Sequence, residues 1–293
     1  MKSTLSFCLA LFLGSPLLAQ TVNYKTISDD PMDIRKLRIG VDAMMTAGFS
    51  LEDNSDDGYL NFGYQIRGSY FPIINKIGIE FDLQKGTDIN SGLDASKTEF
   101  RASFAIFSAQ NKKDRTITID RSVQGGSSYN HNIKTPQTFQ NNLEGRFSII
   151  RNKGFIGQIA IPPHGNHHAL YSTSMLGLGL QWRSFQAYKV LIDDSYYSSN
   201  SVHFQLYADL LLGMGTSWEA STGSVASIPS EAEIEAALDT ESLTSNLGGR
   251  LGFKTSTRTT KTLTLSLGAE LGFIPPSKVL HSLLYFGASI NLL

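Results

Sequence analysis

Residues 263–273 read Leu-Thr-Leu-Ser-Leu-Gly-Ala-Glu-Leu-Gly-Phe. Leu263, Leu265, Leu267, Ala269, Leu271 and Phe273 are apolar, and every position between carries a hydroxyl, a glycine or a carboxylate. In a strand successive side chains point to opposite faces, so this period of two makes one greasy face and one polar face. The pattern recurs outward from this stretch. Leu37, Ile39, Val41, Ala43, Met45, Ala47 and Phe49 alternate with Arg38, Gly40, Asp42, Met44, Thr46 and Gly48. Val202, Phe204, Leu206, Ala208, Leu210, Leu212 and Met214 alternate with His203, Gln205, Tyr207, Asp209, Leu211 and Gly213. Shorter runs lie at Ile77–Leu83 and Phe100–Ile106.

Two architectures use such strands. A soluble sandwich hides the greasy face in a core, and a membrane barrel turns it to lipid. Soluble strands average about five or six residues, whereas a tilted spanning strand needs ~9–11. The runs from Leu37 and from Val202 exceed that length, so the fold class expected is all-β, an antiparallel transmembrane β-barrel. Twelve strands fit best: Arg35–Ser50, Tyr59–Phe71, Asn75–Lys85, Lys97–Ser108, Arg115–Arg121, Asn142–Arg151, Gly154–Ile161, Ala169–Ile192, Ser201–Gly215, Asn246–Thr255, Lys261–Phe273 and Val279–Leu293. The fifth and seventh are short, which makes ten the alternative. An even number places both termini at one end.

Composition agrees. Lys and Arg number 25 against 26 Asp and Glu, a net charge of −1, so nucleic-acid binding by counterion release is excluded as the chain's main business. Charged residues make up 17%, below the roughly 25% usual for soluble domains. Mean hydropathy is −0.10, too polar for a bundle of membrane helices. After the N-terminus no apolar run reaches the ~20 residues a spanning helix needs. The lone Cys8 excludes a disulfide framework and a cysteine zinc site.

Residues 1–19 read as a secretory signal peptide: Lys2, an apolar stretch Leu5–Leu13, a break at Gly14-Ser15-Pro16, and Ala19 before Gln20. Residues 20–34 are then a short periplasmic segment and 35–293 the barrel. Pro72-Ile73-Ile74, Gln110–Asp114 and Asn152-Lys153 read as short turns on the periplasmic side. Glu52–Gly58, Gly86–Ser96, Ser122–Gln140 and Ser217–Ser245 read as long external loops. The last, at 217–245, is acidic and partly helical, since Ser230 and Glu233 form a capping-box pattern.

Charges of both signs crowd the polar faces. Arg38, Asp42, Arg67, Glu80, Asp82, Glu99, Arg101, Glu144, Arg146, Asp209, Arg250 and Glu270 are expected to line the lumen. They are read either as a selective pore or as an ion-paired filling of a small barrel. Trp182, Tyr70 and Phe49 fall near strand ends, where an aromatic girdle sits.

In the C-terminal strand, Leu284, Phe286, Ala288, Ile290 and Leu292 alternate with Tyr285, Gly287, Ser289 and Asn291. With this strand the chain resembles the outer-membrane β-barrel proteins of Gram-negative bacteria, in pattern over nearly the whole mature chain. The resemblance implies outer-membrane lipid as the surroundings. It also implies the barrel-assembly machinery as a partner in biogenesis, reading Gly287, Ile290 and Leu292 as the assembly signal. Family members usually end in an aromatic residue, and this chain ends in Leu293.

Other candidate chemistry is thin. His164, His167 and His168 are weak metal candidates in an exposed loop, short of the four ligands of a structural zinc site. His203, near Gln205 and Asp209, is the group a barrel hydrolase would use; Asp56-Asp57 and Asp193-Asp194 are acidic pairs in links. No local motif assembles a nucleophile, base and orienter, so no enzyme and no cofactor is expected. The function expected is a passive small-solute channel or a structural role. Alternatives are an accessory barrel in a larger secretion or assembly complex, with protein partners, and a hydrolase.

Overall fold

The computed structural model describes residues 24–27, 37–49, 59–73, 76–124, 127–161, 164–187, 189–192, 195–197, 202–221, 229–240, 244–258 and 263–291. Residues 1–19, read above as a signal peptide, the expected Glu52–Gly58 loop and both acidic pairs lie outside them. The strands are β1 (Tyr24–Ile27), β2 (Leu37–Phe49), β3 (Tyr59–Ile73), β4 (Ile77–Asp88), β5 (Asp94–Gln124), β6 (Ser127–Ile161) and β7 (Gly165–Ala187). They continue as β8 (Lys189–Ile192), β9 (Ser195–Tyr197), β10 (Val202–Ala220), β11 (Leu247–Arg258), β12 (Leu263–Phe273) and β13 (Leu280–Asn291), with one helix, α1 (Glu231–Thr240), between β10 and β11.

Ten of these strands close into one antiparallel barrel in the order β10-β11-β12-β13-β2-β3-β4-β5-β6-β7. Closure comes from β13 pairing back onto β2, from Leu280↔Phe49 to Asn291↔Arg38, and from β7 pairing with β10. A closed ring satisfies every ladder hydrogen bond without an edge, which lipid demands. The remaining strands β1, β8 and β9 form a small separate sheet.

The wall is inside out relative to a soluble protein. On β12, Thr264, Ser266 and Glu270 are buried, while Leu265, Leu267 and Leu271 are 39–48% exposed. On β10, Gln205, Tyr207 and Asp209 are buried, while Leu206, Leu210 and Leu212 are exposed. A contiguous apolar exterior around a polar interior has no place in water; it is the arrangement of a transmembrane β-barrel. Trp182 and Tyr70 belong to the exposed face, with Trp182 packed edge-on to Phe204. Phe49 ends β2.

The barrel takes the smaller of the two strand counts because two pairs of expected strands fuse. Lys97–Ser108 and Arg115–Arg121 are parts of β5, and Asn142–Arg151 and Gly154–Ile161 are parts of β6. The register shifts between Ala105 and Phe107, between Thr118 and Asp120, and between Ile156 and Gln158. A bulge inserts one residue and flips the parity of everything after it, so in sequence one bulged strand reads as two. Gln110–Asp114 and Asn152-Lys153 are therefore mid-strand, not turns. Ser122–Gln140 is not an external loop: its described residues are the far part of the β5–β6 pair, which projects at the end where β2 begins and β13 stops, the termini end. Ala169–Ile192 divides as well, since β7 ends at Ala187 and β8 leaves the wall to pair with β1.

Beyond Phe107↔Leu143, β5 hydrogen-bonds only to β6 until Gln124↔Ser127. Past Lys112↔Thr138, where β6 also parts from β7, the pair is a two-stranded ribbon with a contour length on the order of 40 Å. At the opposite end β6, β7 and β10 rise above their neighbours, and α1 lies against them. Ile234 and Leu238 are fully buried with Ile161, Ala169, Tyr171 and Trp218. The helix starts where the sequence places its cap: the Ser230 amide and hydroxyl both donate to Glu233 at 2.7 Å.

Candidate functional site

Alternation delivers side chains to the lumen from every strand, and cross-strand glycines make room for the largest. Gly252 faces Tyr207, Gly268 faces Tyr285, Gly48 faces Tyr59 and Gly154 faces Tyr171. A Cβ on any of these glycines would collide with the facing ring, so each Tyr lies flat over a strand instead of standing into the lumen.

Most of the charged residues form one network, with the Arg67–Asp42 pair beside it. Glu99 is its hub: Arg250 grips it with both terminal nitrogens, Arg101 Nε lies 3.1 Å from it and Lys97 Nζ 3.4 Å. Arg250 also donates to Asp209 at 2.8 Å and lies 3.3 Å from Glu270. Arg146 pairs with Asp209 at 3.2 Å and stacks over the Tyr207 ring at 3.9 Å. Tyr207 donates to Glu270 at 2.6 Å. Towards the termini, Arg101 pairs with Glu80 and Asp82. Arg183 bridges Glu80 at 3.1 Å and Glu144 at 3.4 Å. Arg67 pairs with Asp42 and donates to Ser266 at 2.6 Å.

One contact crosses the lumen. Lys97 Nζ lies 3.0 Å from Glu270 Oε1. Lys97 is on β5 and Glu270 on β12, five places apart in a ring of ten strands. The pair therefore spans the full width of the barrel. Around it, the space lined by Glu99, Arg101, Tyr207, Glu270 and Tyr285 offers only about 10 Å³ of room for water, at the limit of what one molecule needs. A vestibule on either side is roomier: about 70 Å³ at the α1 end and about 40 Å³ at the termini end.

Of the charges read from the sequence, Asp42, Arg67, Glu80, Asp82, Glu99, Glu144, Arg146, Asp209, Arg250 and Glu270 are buried inside the barrel. Arg101 is close behind, with its side chain 12% exposed. Arg38 is at the termini end, lining the vestibule there with Arg67, His203 and Lys254. Sequence reading passed over Lys97, Arg183 and Lys254, and gave Tyr207 and Tyr285 a face but no role. Parity would have found them: Lys97 shares its face with Glu99 and Arg101, and Lys254 with Arg250. Arg183 follows Gly177, Gly179 and Gln181 on the inward face of β7.

The remaining candidates separate. The three loop imidazoles have three different environments. His164 faces Glu233 at 3.4 Å. Both ring nitrogens of His167 lie against carbonyl oxygens, Ser221 at 3.1 Å and His164 at 3.2 Å. His168 packs edge-on to Phe155. Among the described residues no group of three or more His, Cys, Asp or Glu side chains is placed to hold a metal ion. Glu233 has its carboxyl held below the usual range by the Ser230 amide, the Ser230 hydroxyl and His164. His203 stacks on Phe185 at 4.5 Å. At the C-terminal strand, Gly287 faces inward against Asp42 and Ile290 faces outward, 55% exposed; Leu292 lies outside the described residues.

The chain matches no family profile and no curated protein. Among solved structures it is similar to Neisserial surface protein A, at 12% identity over 88% of this chain and 97% of that one, with a TM-score of 0.34. It is also similar to the translocator domain of the autotransporter NalP from Neisseria meningitidis: 8% identity, 99% and 98% covered, TM-score 0.37. A third is the transport unit of the autotransporter AIDA-I from Escherichia coli: 8% identity, 98% of each chain, TM-score 0.29. The fold of this chain rests on its own strand pairing.

Proposed function

We propose that this chain is an integral outer-membrane barrel with a structural or accessory role and no catalytic activity, rather than an open channel. The observation that carries the reading is the Lys97–Glu270 bar across the lumen, embedded in the network around Glu99. The network is also close to neutral: seven carboxylates face the six cations Arg67, Lys97, Arg101, Arg146, Arg183 and Arg250. A nearly compensated interior offers neither a path nor a field that favours one ion. The apolar belt, the leader-like residues 1–19 and the alternation of the last strand support export to the outer membrane through the barrel-assembly machinery. The β5 edge of the β5–β6 pair, exposed from Ser108 to Thr116, is the arm such a subunit would offer to a protein partner at the termini end.

The test is single-channel recording of the detergent-folded protein in a planar bilayer. Folded protein is expected to insert without discrete conductance steps. Reproducible steps with an ion preference would overturn the reading and make the barrel a pore.

A further inference from the structure

The outer face of the barrel is not apolar all the way to its α1 end. Strand register ranks the outward side chains in rungs, and three successive rungs across β4, β5, β6 and β7 change character. The first is Phe81↔Phe100↔Ile149↔Leu176, apolar throughout. The next is Leu83↔Thr98↔Arg151↔Ser174, and the one beyond it is Lys85↔Ser96↔Lys153↔Ser172. Alternation fixes the direction. Ser148, Ile150 and Asn152 of β6 are buried, while Ile149, Arg151 and Lys153 between them are exposed on the opposite face. Three cations therefore stand on the outer wall directly above the apolar belt. On the far side of the ring, the outward positions of β12 stay apolar up to Phe273.

These cations lack strong counter-charges of their own. In the lumen Arg67, Arg101, Arg146, Arg183 and Arg250 are each paired with a carboxylate. The side chains of Arg151 and Lys153 make no hydrogen bond or ion pair with another described residue. Lys85 lies 3.7 Å from Asp94, with both side chains more than half exposed, and such a pair is weak. Lys85 and Lys153 are two strands apart, about 10 Å, and Arg151 is one rung from Lys153, about 7 Å. The hydroxyls of Ser96 and Thr98 occupy the strand between them.

We infer that this patch is a binding site for the phosphorylated headgroup of an anionic lipid in the leaflet at the α1 end. The acyl chains lie on Phe81, Phe100 and Ile149. The phosphate oxygens meet Arg151, Lys153 and Lys85 where the belt gives way to water. Arg151 supplies the forked donors that match phosphate, and each cation at a membrane surface favours anionic lipid. A lipid fits better than a free anion because the cations adjoin the belt that takes its chains. The site rests on the membrane placement of the barrel, not on whether its lumen conducts.

The probes are dioleoylphosphatidate and dioleoylphosphatidylcholine, added to the detergent-folded full-length protein, with bound lipid counted by native mass spectrometry. Heat-modifiable gel migration checks that each variant is folded. One phosphatidate is expected to be retained in preference to phosphatidylcholine. Arg151→Gln combined with Lys153→Gln should weaken phosphatidate about 25-fold, and Lys85→Gln alone about fivefold. Lys112→Gln combined with Lys113→Gln, at the termini end, should leave it unchanged. Equal retention of both lipids by the wild type would overturn the site and leave a surface for acyl chains only. So would wild-type affinity in the folded Arg151→Gln, Lys153→Gln variant. An equal loss in the Lys112→Gln, Lys113→Gln variant would trace binding to net charge and overturn the placement. Full displacement of phosphatidate by millimolar inorganic phosphate would overturn the lipid as its source. Conductance steps in a bilayer would leave the patch standing, and loss of the lipid preference would leave the reading of the lumen standing, so the two fail separately.

Discussion

The barrel wall at β12 and the ribbon at the far end of β5 are both antiparallel β-structure, yet they obey different rules. Along β12 every second residue is apolar and either exposed or half-buried, while those between are buried, because one face meets lipid and the other a crowded lumen. From Ser108 to Thr116 every residue of β5 is exposed, and the run holds Lys112, Lys113, Asp114 and Arg115. That stretch of β5 meets water, so nothing selects a period of two there, whereas Ile133, Thr135 and Gln137 on the facing strand β6 are buried and β6 keeps its alternation. Alternation is therefore a signature of the two environments flanking a strand, not of strand structure itself.

The sharpest way to break the comparison is at the hub. Glu99→Ala leaves Arg250, Arg101 and Lys97 without their shared carboxylate. It should cost about 3–5 kcal/mol, the usual penalty for orphaning buried charges. Lys113→Ala in the ribbon should stay within about 0.5 kcal/mol. Urea unfolding of vesicle-inserted protein reads both, and equal small effects would mean that the interior is hydrated. Next comes the lipid face. Leu267→Arg should destabilise by about 2–4 kcal/mol if it sits near the bilayer midplane, and Thr116→Arg should not. Partition between folded and unfolded protein in the same vesicles decides this. A smaller effect belongs to the glycine seats: Gly252→Val forces Tyr207 to move and should cost about 1–3 kcal/mol. Near-wild-type unfolding would show that the ring has another place to go. The smallest lies outside the membrane. Ser230→Ala removes the α1 cap at about 1 kcal/mol, read as faster proteolysis of the 221–246 loop. Because the Glu233 carboxyl is held below its usual range, the cap is complete above the ordinary carboxylate range and is lost as pH falls through the lowered value. Acidification should therefore speed the same cleavage in the wild type and have less effect in Ser230→Ala.

Much of the wall was legible residue by residue. Leu37–Phe49 and Leu263–Phe273 could be read as strands with an assigned inner face because burial on one side and lipid on the other imprint each side chain. The strand number was harder. Bulges at Ala105, Thr118 and Ile156 reverse parity in mid-strand, and the exposed stretch of β5 from Ser108 to Thr116 carries no parity to follow. Asn-Lys at 152–153 looks like a turn only when its partners Thr173 and Ser172 on β7 are out of view. Of the basic patch on the outer wall, Lys85 and Arg151 gave no local signal: nothing near either residue in sequence says that they meet.

By itself the sequence determined the kind of protein this is, an antiparallel barrel with its apolar side outward, because side-chain period is a local property that lipid and lumen each act on directly. Only the tertiary structure decided which charges meet across the lumen. Lys97 and Glu270 are 173 residues apart, and their meeting depends on how many strands close the ring. In a barrel of ten the opposite walls are within reach of one Lys and one Glu; each added strand widens the ring, and a wider lumen would leave the same two charges facing water.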